Sequence, residues 1–323
     1  MLVLLPLEGL DMAVVLVTGG AGFIGSHLVD ALVERGHEVK VFDNFSSGSR
    51  SNLAQVADRI EIIEGDLSDA QAVKAAVVGV NFIFHEGALA SVPRSVEAPL
   101  DTHAACVTGT LNVLNEARQA GVQRVIYAGS SSAYGDFPAA TNRESDFPGP
   151  LTPYGAAKLA GEFYCRVFHE TYGLETITTR YFNVFGPRQD PDSPYSAVIP
   201  LFITKMLAGT RPTIFGDGQQ SRDFTYIANV VHANMLAMEA KRAVGQTINV
   251  ANGRTTSLLD LIAAINEMLG LQIQPQHDPP RVGDIRDSMA DITIARRELG
   301  YEPQVDFHEG LQRSIEYYKS IIS

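Results

Sequence analysis

The chain has 323 residues, 45% apolar and 19% charged, with a formal net charge of −12. That length exceeds one ordinary core and suits a large domain with a smaller partner. The acidic balance argues against nucleic acid or an anionic membrane surface as a partner of the whole chain, although a few placed arginines can still hold an anionic small molecule.

The opening run "MLVLLPLEGLDM" is apolar but too short to span a bilayer, and it lacks a basic flank. Neither an anchor nor a signal peptide is expected. "AVVLVT" (13–18) reads as a buried strand. A helix follows over about 22–35, stopped by Gly36. "EVKVFD" ends a second strand at Asp43, "RIEIIEGD" a third at Asp66, and "NFIFHE" a fourth near His85. A long helix is expected over 99–119, then a strand "RVIYAGS" ending at Ser130. The next helix has Thr152 as N-cap, Pro153 at its first position and Gly173 as its stop. "TITTRYF" is a sixth strand. Short apolar strands alternating with helices predict an α/β fold, a doubly wound parallel Rossmann sheet, with ligands at the carboxyl ends of the strands. After Gly186 the rhythm breaks. A nucleotide-binding domain over 12–186 is expected, with a segment near 223–250 returning to its sheet. A smaller α/β substrate domain over 187–323 completes the chain.

"VTGGAGFIGSH" joins the first strand to the first helix. Gly20, Gly22 and Gly25 fit G-x-G-x-x-G, while Gly19, Gly22 and Gly25 fit G-x-x-G-x-x-G. Either way, backbone N–H groups and a helix N-terminus are offered to a pyrophosphate. Asp43 at the end of strand two can accept from both adenine-ribose hydroxyls and repels a 2′-phosphate, favouring NAD over NADP. Asp66 and Leu67 are placed against the adenine.

Tyr154 and Lys158 are spaced i, i+4, on one helical face. A free phenol has a pKa of about 10 and is a poor base at neutral pH. Lowering it by about 3 units takes roughly 4 kcal/mol, the scale of two neighbouring cations in a partly dry cleft. A hydroxyl from "SSS" (130–132) can bridge base and reacting oxygen. With eleven tyrosines in the chain, a Y-x-x-x-K pair alone is also compatible with a surface pair. The serine run and the glycine pattern decide for chemistry.

"TGGAGFIG", "SSSAYG", "YGAAK" and "RYFNVFGP" together resemble the extended short-chain dehydrogenase/reductase family over nearly the whole chain. "GALASVPRS", "RYFNVFGPRQDP", "SAVIP", "GDGQQSRDFTYI" and "RVGDIRDS" are similar to the UDP-hexose 4-epimerases, above all those handling N-acetylated sugars. The resemblance implies a homodimeric isomerase with bound NAD and a UDP-sugar substrate, and two cysteines without a disulfide framework point to a reducing, cytoplasmic setting. It implies Tyr154 as the base, Lys158 as the group that holds the nicotinamide ribose and lowers the Tyr154 pKa, and Ser130 or Ser131 as the assisting hydroxyl. Gly19, Gly22, Phe23, Ile24, Gly25, Asp43, Asn44, Ser47, Gly48, Asp66, Leu67, Gly87, Ala88 and Phe182 would line the NAD. Asn183, Val198, Arg222, Arg281 and Asp284 would hold the nucleotide-sugar, with Ala90, Ser91, Arg94, Ser132, Gln189, Ala197 and Ser288 around it. No metal is implied. The two cysteines lack metal-ligand spacing, and Cys106 stands where the family carries asparagine before "VTGT".

Dehydratase and decarboxylase relatives carry an acid just after the strand-five hydroxyl. Ser131 and Ser132 stand there instead, which leaves reversible oxidation and return. At the position matching Ser288, plain-hexose 4-epimerases carry a tyrosine. Serine leaves space for an acetamido group, so UDP-GlcNAc/UDP-GalNAc are expected beside UDP-Glc/UDP-Gal. A UDP-glucuronate 4-epimerase is the first rival and needs a cation facing the C6 carboxylate, with Arg188 and Arg94 as candidates. A non-catalytic NAD-sensing module is the second.

Overall fold

The computed structural model describes residues 12–136, 141–191, 197–280 and 286–322. Arg281 and Asp284 lie outside these residues.

Strand β1 (Val14–Thr18) leads through the glycine turn into α1 (Phe23–Glu34). Then come β2 (Glu38–Asp43), β3 (Ile60–Glu64), α2 (Ala70–Ala76) and β4 (Phe82–His85). Short α3 (Val92–Glu97) precedes α4 (Pro99–His103), which continues through a π turn at Ala104–Thr108 into α5 (Gly109–Ala120). The single long helix expected over 99–119 is therefore interrupted where Cys106 sits. Next are β5 (Arg124–Ser130), α6 (Pro153–Tyr172) and β6 (Glu175–Tyr181). Thr152 does cap α6, its hydroxyl accepting from the Gly155 N–H at 3.1 Å. Gly173 ends the helix in the left-handed conformation (φ 72°), which glycine adopts without Cβ strain.

Beyond β6 lie β7 (Val184–Phe185), α7 (Val198–Leu207), β8 (Thr213–Phe215), β9 (Ser221–Arg222), β10 (Thr225–Tyr226) and α8 (Ile227–Glu239). They are followed by β11 (Thr247–Val250), β12 (Thr256–Ser257), α9 (Leu258–Leu269), β13 (Gln276–Asp278), β14 (Asp287–Ser288) and α10 (Phe307–Ile322).

The main sheet has seven parallel strands in the order β11-β6-β5-β4-β1-β2-β3. Strand order reverses between β1 and β4, which opens a crevice at their carboxyl ends. Alternation along each strand divides the core. Val15, Val17, Ile126 and Ala128 pack on one face, Leu16, Val125 and Tyr127 on the other. The last strand, β11, comes from beyond Gly186 and pairs with β6. Smaller sheets, β12-β9-β14 and β13-β8, stand with α7 and α9 outside the main one.

Candidate functional site

The glycine turn is built for close approach. Gly19 has φ +65°, and a Cβ there would meet the Gly87 Cα at 2.6 Å. At Gly25 a Cβ would stand 2.2 Å from the Gly19 oxygen. Gly22 occupies the N-cap of α1, which has no side-chain cap, so the N–H groups of its first turn are not claimed by a cap. The structure thus gives the tight turn to Gly19, and Gly22 and Gly25 complete the pattern. Phe23 and Ile24 open the helix.

Asp43 is buried at the end of β2. Its two oxygens accept from the Ala21 N–H (2.9 Å) and the Phe45 N–H (2.8 Å). These bonds fix the carboxylate and leave lone pairs for a diol. Asn44 donates to Asp66 at 2.8 Å, and both the backbone N–H and the hydroxyl of Ser68 donate to the other Asp66 oxygen. Those Ser68 bonds hold the Asp66 carboxyl below its usual range. Ser47 is exposed in the same rim, while Gly48 sits where a Cβ would press on Ala21. Leu67 packs where side chains on Gly87 or Gly109 would collide with it. The Gly87 N–H donates to the Thr18 hydroxyl at 3.2 Å, with Ala88 beside it. This rim, helix N-terminus and anchored acid suit a dinucleotide. Phe182 does not join it. It has 0% exposure and lies in the core with Tyr134, ring centroids 5.9 Å apart. Its apolar ring is worth more among other rings than in a polar cleft.

Lys158 is buried. Its ammonium donates to the Ala128 carbonyl at 2.8 Å and lies 5.1 Å from the centre of the Tyr127 ring. Tyr154, one turn earlier, is hydrogen-bonded by Ser130. Burial pushes the phenol above its ordinary value, Lys158 and Ser130 pull it down, and Cys106 and Glu86 push it up. The balance is upward. Lysine acts in the expected direction, but these side chains by themselves do not make the phenol acidic. Of the two serines left open by the sequence, the structure brings Ser130 to Tyr154. Ser131 lies in the turn that follows, and the Ser132 N–H donates to the Ser130 hydroxyl at 3.2 Å.

The π turn beside this pair is tied into the sheet. Thr110 donates to the Cys106 carbonyl (2.6 Å) and meets His85 (3.0 Å), which bonds Thr18 (2.7 Å). His85 is fully buried, and desolvation lowers its pKa to about 3, so it stays neutral. Cys106 is a buried free thiol, as is Cys165.

Among the residues expected around the nucleotide-sugar, β9 and β14 run parallel with Ser288 opposite Arg222, two residues far apart in sequence. Arg222 donates to the carbonyls of Ser221 (2.8 Å) and Arg286 (3.0 Å). Asn183 has φ +36°, a left-handed strain that asparagine tolerates better than most residues, and its amide reaches the Asp223 carbonyl at 3.4 Å. Ser91 caps α3 by accepting from the Arg94 N–H at 3.2 Å. Arg94 is half-buried and Ala90 exposed; Ala197 and Val198 lie at the start of α7. Gln189 does not face this wall. Its amide turns back to the Val184 carbonyl (3.2 Å), and Tyr318 donates to its backbone oxygen (2.6 Å). Arg188 is likewise turned away, gripping Asp30 on α1 at 2.6 Å. Satisfying a half-buried acid outweighs leaving the guanidinium directed to the cleft.

The family model for NAD dependent epimerases/dehydratases matches residues 15–251. The chain belongs to that family. A UDP-glucose 4-epimerase of Mycolicibacterium smegmatis is 40% identical over 309 residues, 94% of this chain and 98% of that one. The solved UDP-glucose 4-epimerase of Thermotoga maritima with UDP-glucose superposes with a TM-score of 0.92 at 38% identity, covering 96% of this chain and 100% of that one. The UDP-N-acetylglucosamine 4-epimerase of Methanobrevibacter ruminantium, in complex with UDP-N-acetylmuramic acid, gives 0.92 at 39% identity, covering 97% and 100%.

Two features of this family member escaped the sequence reading. Glu162, one turn beyond Lys158, is clamped by Arg180, whose Nε and Nη2 reach its oxygens at 2.6–3.0 Å. Without that clamp the nearest acid on the helix face would compete for the lysine. The second is Glu86, just after β4, whose carboxyl accepts from the Tyr181 hydroxyl at 2.8 Å. A charged residue ending the apolar run "NFIF" was the available signal.

Proposed function

We propose that this epimerase reversibly inverts C4 of a UDP-hexose through a transient 4-keto sugar, with tightly bound NAD, and that it accepts UDP-GlcNAc/UDP-GalNAc as well as UDP-Glc/UDP-Gal. The observation that carries the reading is Tyr154, hydrogen-bonded by Ser130 at the end of β5 and one turn before the buried Lys158 ammonium, on the sheet whose β1 leads into the glycine turn. When bound, NAD would supply the hydride-accepting and hydride-returning chemistry at C4. The glycine turn and the α1 N-terminus would hold its pyrophosphate, and Asp43 its adenine ribose. Tyr154 takes the proton from the 4-hydroxyl and gives it back, with Ser130 positioned to relay it. Lys158 favours the phenolate and is kept available because Arg180 saturates Glu162. Arg222 anchors the nucleotide while the ketone turns over, and the small Ser288 beside it leaves room for a C2 acetamido group. Arg281 and Asp284 are assigned to the diphosphate and uridine ribose by resemblance alone.

The glucuronate reading loses support because Arg188 is committed to Asp30. A non-catalytic module would have no use for the Tyr154–Lys158–Ser130 grouping. The same reading makes the chain a cytoplasmic homodimer. Phe163 (55% exposed) and Val167 (49%) on α6, with Leu100 (82%) on α4, offer the apolar surface a second copy would cover. Light scattering tests the dimer, and a monomer at micromolar concentration rejects it. The activity is tested by incubating the protein with UDP-GlcNAc or UDP-Glc and following the C4 epimer by NMR. Tyr154→Phe should retain NAD and lose turnover by several orders of magnitude. An unchanged rate in that variant refutes the assigned base.

A further inference from the structure

Two carboxyl groups act electrostatically on Lys158, and they are treated differently. Glu162 is neutralised by the Arg180 clamp. Glu86 has a hydroxyl for a partner, Tyr181, which Asn234 holds in turn at 2.8 Å. The Glu86 backbone is packed on the glycine turn. Its N–H donates to the Thr18 carbonyl at 3.2 Å, and its carbonyl carbon lies 3.0 Å from where a Cβ on Gly19 would stand. Its charge is felt by both Lys158 and Tyr154. Glu86 therefore links the turn that suits a pyrophosphate to the pair that suits the reacting ring.

We propose that Glu86 is a positioning residue that sets the charge balance at the redox-active ring of the coenzyme, favouring its oxidised, cationic form whenever the carboxyl is ionised. The inference rests on the reading of the crevice as an NAD site. A hydride accepted from the substrate cancels the ring's positive charge. A carboxylate nearby opposes that change, and a neutral acid does not. Burial pushes the Glu86 carboxyl up to about 7, against the pull of the Tyr181 hydrogen bond and of Lys158. The groups facing it are Tyr181 from β6, Lys158 and Tyr154 from α6, the neutral Asn234 from α8 through Tyr181, and backbone from β1 and the glycine turn. As pH rises through neutrality the bound coenzyme should become harder to reduce than it is beside a permanently neutral side chain.

The test is the oxidised-to-reduced ratio of coenzyme bound to the holoenzyme. It is read by the absorbance of reduced nicotinamide against a two-electron couple of known potential, from about pH 5.5 to about pH 8.5. Wild type and Glu86→Gln should coincide at the acid end. At the alkaline end wild type should hold the more oxidised coenzyme by on the order of tenfold, about 30 mV for two electrons. In Tyr181→Phe, which removes the donor that stabilises the carboxylate, the change should move to higher pH, and this variant decides the matter if Glu86→Gln fails to fold. Curves for wild type and Glu86→Gln that stay parallel, or a Tyr181→Phe transition that does not move, overturn the proposal, since a merely structural role shifts melting temperature and not the pH dependence of a potential. Wild-type protein that holds no nicotinamide coenzyme overturns the underlying site reading, and the proposal with it.

Discussion

Replacing Arg180 by methionine removes the cation that neutralises Glu162 and leaves a carboxylate stranded inside the protein. Arg180 is 5% exposed and Glu162 4%, so water cannot take over the lost contacts. Breaking one side of a buried ion pair costs about 3–5 kcal/mol. In a chain of this size that lowers Tm by roughly 4–7 °C, measurable by calorimetry. A second effect follows from the helix geometry. The freed Glu162 lies four residues from Lys158 and competes with the Ala128 carbonyl and Tyr154 for its ammonium. The phenol then loses part of its stabilising cation, its pKa rises, and the acid limb of the kcat profile moves to higher pH. The double variant Glu162→Gln/Arg180→Met removes the competitor together with its clamp. It should recover most of the stability and return the acid limb toward wild type. An acid limb unmoved in Arg180→Met, or moved equally in the double variant, would refute the reasoning that the clamp keeps Lys158 available.

Ser288→Tyr should abolish turnover of UDP-GlcNAc while sparing UDP-Glc, measured side by side by NMR; equal loss of both defeats the pocket argument. Gly19→Ala combines a left-handed φ with a contact to Gly87 that backbone cannot relieve, so the purified variant should carry far less nicotinamide coenzyme, seen on acid release. Asp223 is fully buried and accepts from the Asn252, Gly253 and Ala290 N–H groups, yet desolvation raises its pKa to about 6. The protonated form is favoured by folding, so this contribution is present below pH 4 and lost as pH rises through about 6. Relative to Asp223→Asn, wild type should lose about 3 kcal/mol over that interval in urea unfolding. A difference constant with pH would show that Asp223 titrates alike in the folded and unfolded chain and overturn the reading.

Much of the first half of the chain was readable because its signals are local. The N-cap at Thr152, the stop at Gly173 and the strand ends at Asp43 and Ser130 each depend on a few adjacent residues. Tyr154 and Lys158 share a face because a helix has a fixed pitch. The break in the helix at Cys106 was not readable: the π turn is tied through Thr110 to His85 on β4, a tertiary contact that helix propensity does not signal. Phe182 and Gln189 were expected at the cleft by resemblance, and Arg188 only as a candidate partner for a C6 carboxylate, but burial and hydrogen-bonding partners elsewhere in the fold took their side chains.

The sequence alone determined the main alternation of strands and helices up to Gly186, the glycine turn and the spacing of Tyr154 and Lys158, since each is set by backbone geometry over a handful of residues. Only the tertiary structure decided which serine meets Tyr154, which acid is free to act on Lys158, and that Ser288 stands beside Arg222. Those outcomes depend on competition among charges and hydrogen-bond donors brought together by the sheet, and desolvation, which settles such competitions, exists only once the chain has closed around them.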